Sequence, residues 1–404
     1  MGQSMMQTPF PPSSAGCRLF GALIVAMFLL PGIAWNQTGV TGQFIFAPDS
    51  LLHGHTHASS LVECPNGDLL ACWYEGATDK SADVHIQAAR LKKGGKWGDP
   101  FMLADTPTLS DNNPCMIIDR QNRLWLFYYT LLGGSEQPWE TAFLRFKQSC
   151  DYERPDQPIV WNYEADLPVQ VHDLDSVVGR LCSEPGWITA DADDLCLKAH
   201  QHLRNQLSRR LGWTTRARPL ILRSGELLLP MASEIFGVAA MAITIDDGRS
   251  WFFSRPPLGY GVEQPSVFEK SDGALVAYFR DATPLHRIRS SISQDRGRTW
   301  SAITSGELLN PGSGLEVLRL RNGHIVLIYN DVENDPRRRL AVSLSLDEGK
   351  TWSYTRHIED SPKGRFDYPS LLQTRDGRLH AVYSYNVQTI KHVSFSEAWI
   401  MGKK

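Results

Sequence analysis

The sequence predicts an all-β protein, a six-bladed β-propeller with a helical insertion between blades two and three. Three observations lead there. A turn-plus-strand unit recurs six times: CPNGDLLACWYE, IDRQNRLWLFYY, LRSGELLLPMAS, EKSDGALVAYFR, LRNGHIVLIYND and QTRDGRLHAVYS. The turn centres are Gly67, Asn122, Gly225, Gly273, Gly323 and Gly377, spaced 55, 103, 48, 50 and 54 residues apart. An octapeptide repeats three times, as TIDDGRSW at 244–251, SQDRGRTW at 293–300 and SLDEGKTW at 345–352. The single double-length interval carries a helical pattern instead of a further turn-plus-strand unit. A small antiparallel sheet cannot bury both of its faces alone, so repeated sheets of this length stack around an axis.

The 404 residues carry a net charge of −3, with 42% hydrophobic and 21% charged side chains. No long run of Lys or Arg occurs, which argues against a nucleic-acid partner. The apolar run LFGALIVAMFLLPGIAW, residues 19–35, follows Arg18 and is broken by Pro31. It is short for a spanning helix and reads as a secretory signal over 1–35, cleaved near Ala34; membrane attachment is expected only if it stays uncleaved. The protein is therefore expected in the periplasm or outside the cell, with 36–404 as one domain. Export permits disulfides among Cys64, Cys72, Cys115, Cys150, Cys182 and Cys196, and Cys182–Cys196 is the first pair to test. All six could equally remain free thiols.

Along the chain, Gly or Asn at each turn centre supplies the positive φ of a tight hairpin. β-branched, aromatic or alternating residues follow, as in half-buried strands. The insertion is placed at about 131–212. Its DADDLCLKAHQHLRNQLSRRLGW reads as an amphipathic helix with Leu195, Leu197, His202, Leu203 and Leu207 roughly on one side. In the octapeptides, Asp246, Asp295 and Asp347 are suited to bond backbone N–H groups of their own turn. Gly248, Gly297 and Gly349 take the left-handed positions, and the Trp packs on the next strand. One carboxylate per copy is too few for calcium, and no metal or cofactor is expected.

The three copies of S/T-x-D-x-G-x-T/S-W resemble the Asp-boxes of the sialidase superfamily, and residues from about 45 to 395 resemble bacterial sialidase-like proteins with BNR repeats. The resemblance implies an exo-glycosidase with its site at the mouth of the central channel. It implies a Tyr nucleophile helped by a Glu, an Asp acid/base and three arginines around the carboxylate of a terminal sialic acid. Guanidinium pairs bidentately with carboxylate, and sialidases are the glycosidases with a Tyr nucleophile. On this pattern FDYPSLLQTRDGRL makes Tyr368 the nucleophile, and VFEKSDGALVAYFR makes Arg280 one clamp arginine. NDVENDPRRRL offers Arg337, Arg338 or Arg339 as another, with Arg337 preferred. The loop WYEGATDKSADVHI offers Asp79 or Asp83 as acid/base, with Asp79 favoured. TRARPLIL and NNPCMI add Arg216 and Asn113 as sugar contacts.

Two positions depart from the pattern. HGHTHASSL, residues 53–61, has no arginine, and His57 falls at or beside the missing one. His53, His55 and His57 alternate along a strand and so share a face; direct substrate contact or acid/base work by His57 is preferred to metal binding. Exchanging a guanidinium clamp for imidazole is expected to weaken carboxylate binding by about 1.5–3 kcal/mol. The helper Glu is replaced by Gln264, with Glu263 beside it; adjacent strand residues face opposite ways unless a bulge intervenes. Glu316 is a further carboxylate near the channel. The expected function is hydrolysis of a terminal acidic sugar from a glycan. The alternatives are a uronic-acid hydrolase or lyase, in which His57 and Tyr368 move a proton, and a non-catalytic carbohydrate-binding propeller.

Overall fold

The computed structural model describes residues 35–37, 39–48, 54–133, 138–154, 157–183, 192–334 and 336–403. Apart from Trp35, the expected signal segment lies outside these residues, as does His53. Six antiparallel sheets follow one another along the chain and form the blades of a propeller. Blade one comprises His55–Glu63, Leu69–Gly76, His85–Leu91 and Phe101–Ala104. Blade two comprises Ser110–Ile118, Leu124–Leu131, Ala142–Ser149 and Tyr163–Asp166. In blade three the first strand is split into Trp213–Thr214 and Leu220–Ile221, both paired with Leu227–Ser233; Ala239–Thr244 and Phe252–Phe253 follow. Blade four is Val262–Glu269, Leu275–Asp281, Arg287–Ser293 and Thr304–Leu309; blade five is Glu316–Arg319, Ile325–Asn330, Arg339–Ser345 and Tyr354–Asp360. Blade six takes Phe366–Gln373, Leu379–Tyr385 and Thr389–Phe395 from the end of the chain. Its outer strands Val40–Phe44 and Trp35–Gln37 come from the beginning, so the ring is joined by Thr41 opposite Ser394.

The second strand of each blade is covered on both faces by neighbouring sheets, which is why it reads as a continuous apolar run and not as an alternation. Every residue of Leu124–Leu131 is buried. Trp125, Phe127 and Tyr129 pack with Leu227, Leu229 and Met231 of blade three in one core. All six turn centres take the expected left-handed backbone, with φ between 58° at Asn122 and 105° at Gly225.

The octapeptides are hairpin staples. Asp295 Oδ1 accepts the Thr299 N–H at 2.9 Å, Ser293 Oγ accepts the Gly297 N–H at 2.9 Å, and Trp300 Nε1 donates to the Gly297 carbonyl at 3.0 Å. The Asp246 and Asp347 copies repeat the first two bonds within 0.1 Å. Serine or threonine in first place is therefore part of the device, because its hydroxyl closes the turn against the glycine.

The span read as an insertion, 131–212, divides in two. Its first part supplies the outer strands of blade two, and the remainder carries two helices, Leu174–Ser183 and Ala192–Leu203. Val177, Val178 and Leu181 of the first helix pack into the core between blades two and three. The second helix stops at Leu203, so the apolar face is not the expected one. Ala199 and Leu203 are buried, whereas Leu197 and Leu207 are exposed. Cys182 and Cys196 join the two helices in a disulfide.

Candidate active site

The site is built on a repeated irregularity. In the first strands of blades one, two, four and six the pairing register slips between His57 and Ser60, Asn112 and Cys115, Glu263 and Ser266, and Asp367 and Ser370. At each slip one residue is left-handed: Ala58 (φ 53°), Asn113 (φ 44°), Gln264 (φ 44°) and Tyr368 (φ 48°). Proline follows in three of the four, as Pro114, Pro265 and Pro369, at a point where a bulge leaves no ladder bond for an N–H to make. Left-handed backbone at a bulky residue such as Tyr is strained, and strain of this kind gathers at functional sites.

Tyr368 stands at the centre. Its phenolic oxygen accepts from Arg280 Nη1 at 3.1 Å and from Gln264 Nε2 at 3.2 Å. The guanidinium carbons of Arg216 and Arg337 each lie 5.6 Å from its ring centre, and the His57 ring centre lies 4.3 Å away. Gly314 allows this crowding, since a Cβ there would come within 2.6 Å of Tyr368 Cδ1. Arg337 Nη1 donates to Asp367 Oδ1 and Nη2 to the Gly312 carbonyl, both at 2.9 Å. Arg338 and Arg339 instead face Asp360 on the rim, at 3.8 and 3.1 Å.

The electrostatics are those of a crowded, largely buried site. Burial pushes the His57 imidazole down to about 3, so it is neutral at ordinary pH, and its Nδ1 has no partner within the protein. Burial would raise the Asp367 carboxyl, but His57, Arg337 and Arg365 outweigh it and hold the group below its usual range. Across Arg280 lies Glu234, raised to about 7 by burial and by the charge of Glu263. Glu263 itself faces Arg280 Nε at 3.2 Å.

Tyr368, Arg280, Arg337, Arg216, Gln264 and His57 thus converge. Asn113 holds the equivalent bulge position in blade two. Asp79 is half-buried in its loop, and its charge acts on His55 and Tyr74, which pack beside His57. Asp83 accepts the Ala77 N–H and belongs to the framework of that loop. Two of the residues expected at the site do structural work. Arg216 is buried and bonds the carbonyls of Pro369 (3.0 Å) and Leu315. Glu316 accepts from Arg218 N (3.1 Å), Ser370 Oγ (3.1 Å) and Leu371 N (2.8 Å), tying blades three, five and six beneath the site. Sequence reasoning missed Asp367, Glu234 and the Glu263–Arg280 pair. The repeated NNP, EQP and DYP triplets were a usable signal for the bulges, while Glu234 carried none.

A ring of six blades, three of them closed by Asp-boxes, defines a sialidase-like propeller, and the chain belongs to the BNR repeat-like domain family, whose model matches residues 67–381. It is 20% identical over 371 residues to a sialidase of Micromonospora viridifaciens, covering 85% of this chain and 52% of that protein, so it spans about half the length of this relative. Among solved structures it is similar to a Dyadobacter fermentans protein of unknown function, with TM-score 0.65, 16% identity, and 89% and 100% of the two chains covered. It is equally similar to a sialidase from Streptococcus pneumoniae, with TM-score 0.65, 13% identity, and 89% and 71% covered.

Proposed function

We propose that the protein is an exported, sialidase-like exo-glycosidase that removes a terminal acidic sugar from glycans. The observation that carries this reading is Tyr368, whose oxygen is held by Arg280 and Gln264, with the Arg337 guanidinium 5.6 Å from its ring centre. The Tyr368 oxygen attacks the anomeric carbon, and its proton passes to water at the mouth. The bond to the leaving oxygen breaks as Asp79 protonates it. Asp79, now a carboxylate, takes a proton from water, whose oxygen displaces Tyr368; the phenolate regains its proton from water at the mouth and the sugar leaves with retained configuration. Arg280 and Arg337 face the sugar carboxylate, and neutral His57 offers a hydrogen bond where a third guanidinium is missing.

Release of sialic acid from sialyllactose isomers tests the reading. Tyr368→Phe is expected to lower turnover by on the order of 10⁶-fold, as loss of a nucleophile does; full activity in that variant sinks the assignment. One observation favours a second reading: the His57 ring lies against Tyr368 with Nδ1 unpartnered, a pair able to move a proton beside a uronic acid carboxylate. That lyase chemistry produces an unsaturated sugar, seen as an absorbance rise on acidic polysaccharides. Glycan binding with no turnover by either assay points to a binding propeller.

A further inference from the structure

The bulge at Gln264 changes which side chain faces the channel. Without it, Glu263 and its neighbour would point to opposite faces of the sheet. With Gln264 left-handed and the register slipped, Glu263 lies directly opposite Arg280 on the adjacent strand. Their side chains meet as a partly buried ion pair, Glu263 Oε2 to Arg280 Nε at 3.2 Å. The same guanidinium donates from Nη1 to the Tyr368 oxygen at 3.1 Å. The contact lacks hydrogen-bond geometry at Nε, so Glu263 biases the planar, rigid guanidinium, and with it the direction of Nη1, through its charge. Both donors on the Tyr368 oxygen, Arg280 and Gln264, therefore come from two adjacent strands of one blade, and Glu263 is the carboxylate that orients the charged one.

We propose that Glu263 is a positioning residue for Tyr368, acting through Arg280, and that it competes with a substrate carboxylate for the same guanidinium. The proposal rests on the glycosidase reading for its kinetic consequences but not for its geometry. A carboxylate already on Nε lowers the net charge that Arg280 shows to an incoming anion. The site thereby gives up some ground-state affinity and keeps the phenolic oxygen aimed, an exchange that favours turnover over binding.

Glu263→Gln removes the charge and keeps the shape. In that variant Arg280 is expected to turn from Tyr368 toward the substrate carboxylate. The kcat for an acidic glycoside then falls about 10²-fold, the usual effect of slight misplacement at a reacting centre. KM falls with it, because the freed guanidinium binds the ground state better. A merely structural role predicts the reverse split, a raised KM with a lowered melting temperature. Glu263→Asp, which keeps the charge on a shorter arm, is expected to recover part of kcat. A crystal structure of Glu263→Gln gives a readout independent of turnover. Displacement of Arg280 Nη1 from the Tyr368 oxygen supports the proposal, and an unchanged contact overturns it. A kcat within twofold of wild type overturns it as well. If Tyr368→Phe retains full activity, the glycosidase reading falls while the crystallographic comparison still decides the role of Glu263.

Discussion

The glycines of the Asp-boxes and of the blade turns share a backbone conformation but not a setting, which separates two effects at the level of single residues. Gly248 has φ 84°, and a Cβ there would come 2.9 Å from Phe146 Cζ and 3.1 Å from Trp125 Cζ3. Gly273 has φ 90°, and a Cβ there would meet nothing within 4 Å. Gly273→Ala is expected to destabilise by about 1–2 kcal/mol, the worth of left-handed backbone alone. Gly248→Ala is expected to exceed it clearly, because two buried rings cannot move aside. Urea denaturation of both variants measures the difference, and equal losses would show that the box glycine is needed for its φ alone. The same scale explains what was legible at the site. Tyr368, Arg280 and Arg337 stand in motifs and could be named from the sequence. Glu234 is an isolated acid in an unremarkable hairpin, and only folding sets it beside Glu263 and Arg280.

At the scale of elements, the helical pair between blades two and three is the part of the chain with a fastener of its own. Cys182 and Cys196 are separated by 14 residues, with Cα atoms 5.7 Å apart, and Arg209 pairs with Asp175 across the same pair of segments. Closing a loop of this size stabilises by about 3 kcal/mol in the chain-entropy model. The bond lies within the insertion and crosses no blade seam, so its effect is expected to be local. Reduction should speed limited proteolysis within 167–212 while the propeller fragments persist; identical digestion with and without reductant would contradict this. The helical periodicity of 191–213 pointed to a helix, but its end was not legible. The helix stops at Leu203, and its buried face is chosen by what lies under Ala199 and Leu203, not by the spacing of leucines.

For the whole molecule, the seam between blade six and blade one predicts the acid sensitivity of the ring. Trp97 Nε1 of blade one donates to His392 Nδ1 of blade six at 3.3 Å, and His392 Nε2 lies 2.9 Å from His380 Nδ1. This chain is satisfied with both imidazoles neutral, since a proton on His392 Nδ1 would face the Trp97 N–H. Burial lowers His380 to about 4 and His392 to about 3, as it lowers His57 to about 3. The unfolded chain binds protons at these residues below about pH 6.5. The folded chain does not until about pH 3–4, so stability rises with pH through that window and levels off above it. Urea midpoints are expected to fall steadily from pH 7 to pH 4, with a shallower slope in His392→Gln. A flat profile over this range would mean that the imidazoles are already charged in the fold.

The blade count, the hairpin turns and the octapeptide staples were decided by the sequence alone, because each depends on local backbone chemistry: a left-handed Gly or Asn, a side chain that bonds its own turn, a strand that tolerates burial. The site was decided by the tertiary structure. Tyr368, His57, Gln264, Arg280 and Arg337 lie in four blades and touch only when the ring closes. Their orientations are set by bulges whose effect is to reverse the facing that strand alternation assigns. That reversal brings Glu263 to Arg280, a pairing that sequence spacing alone disfavoured. Local rules specify each blade, and the meeting of distant strand ends around one axis specifies the chemistry.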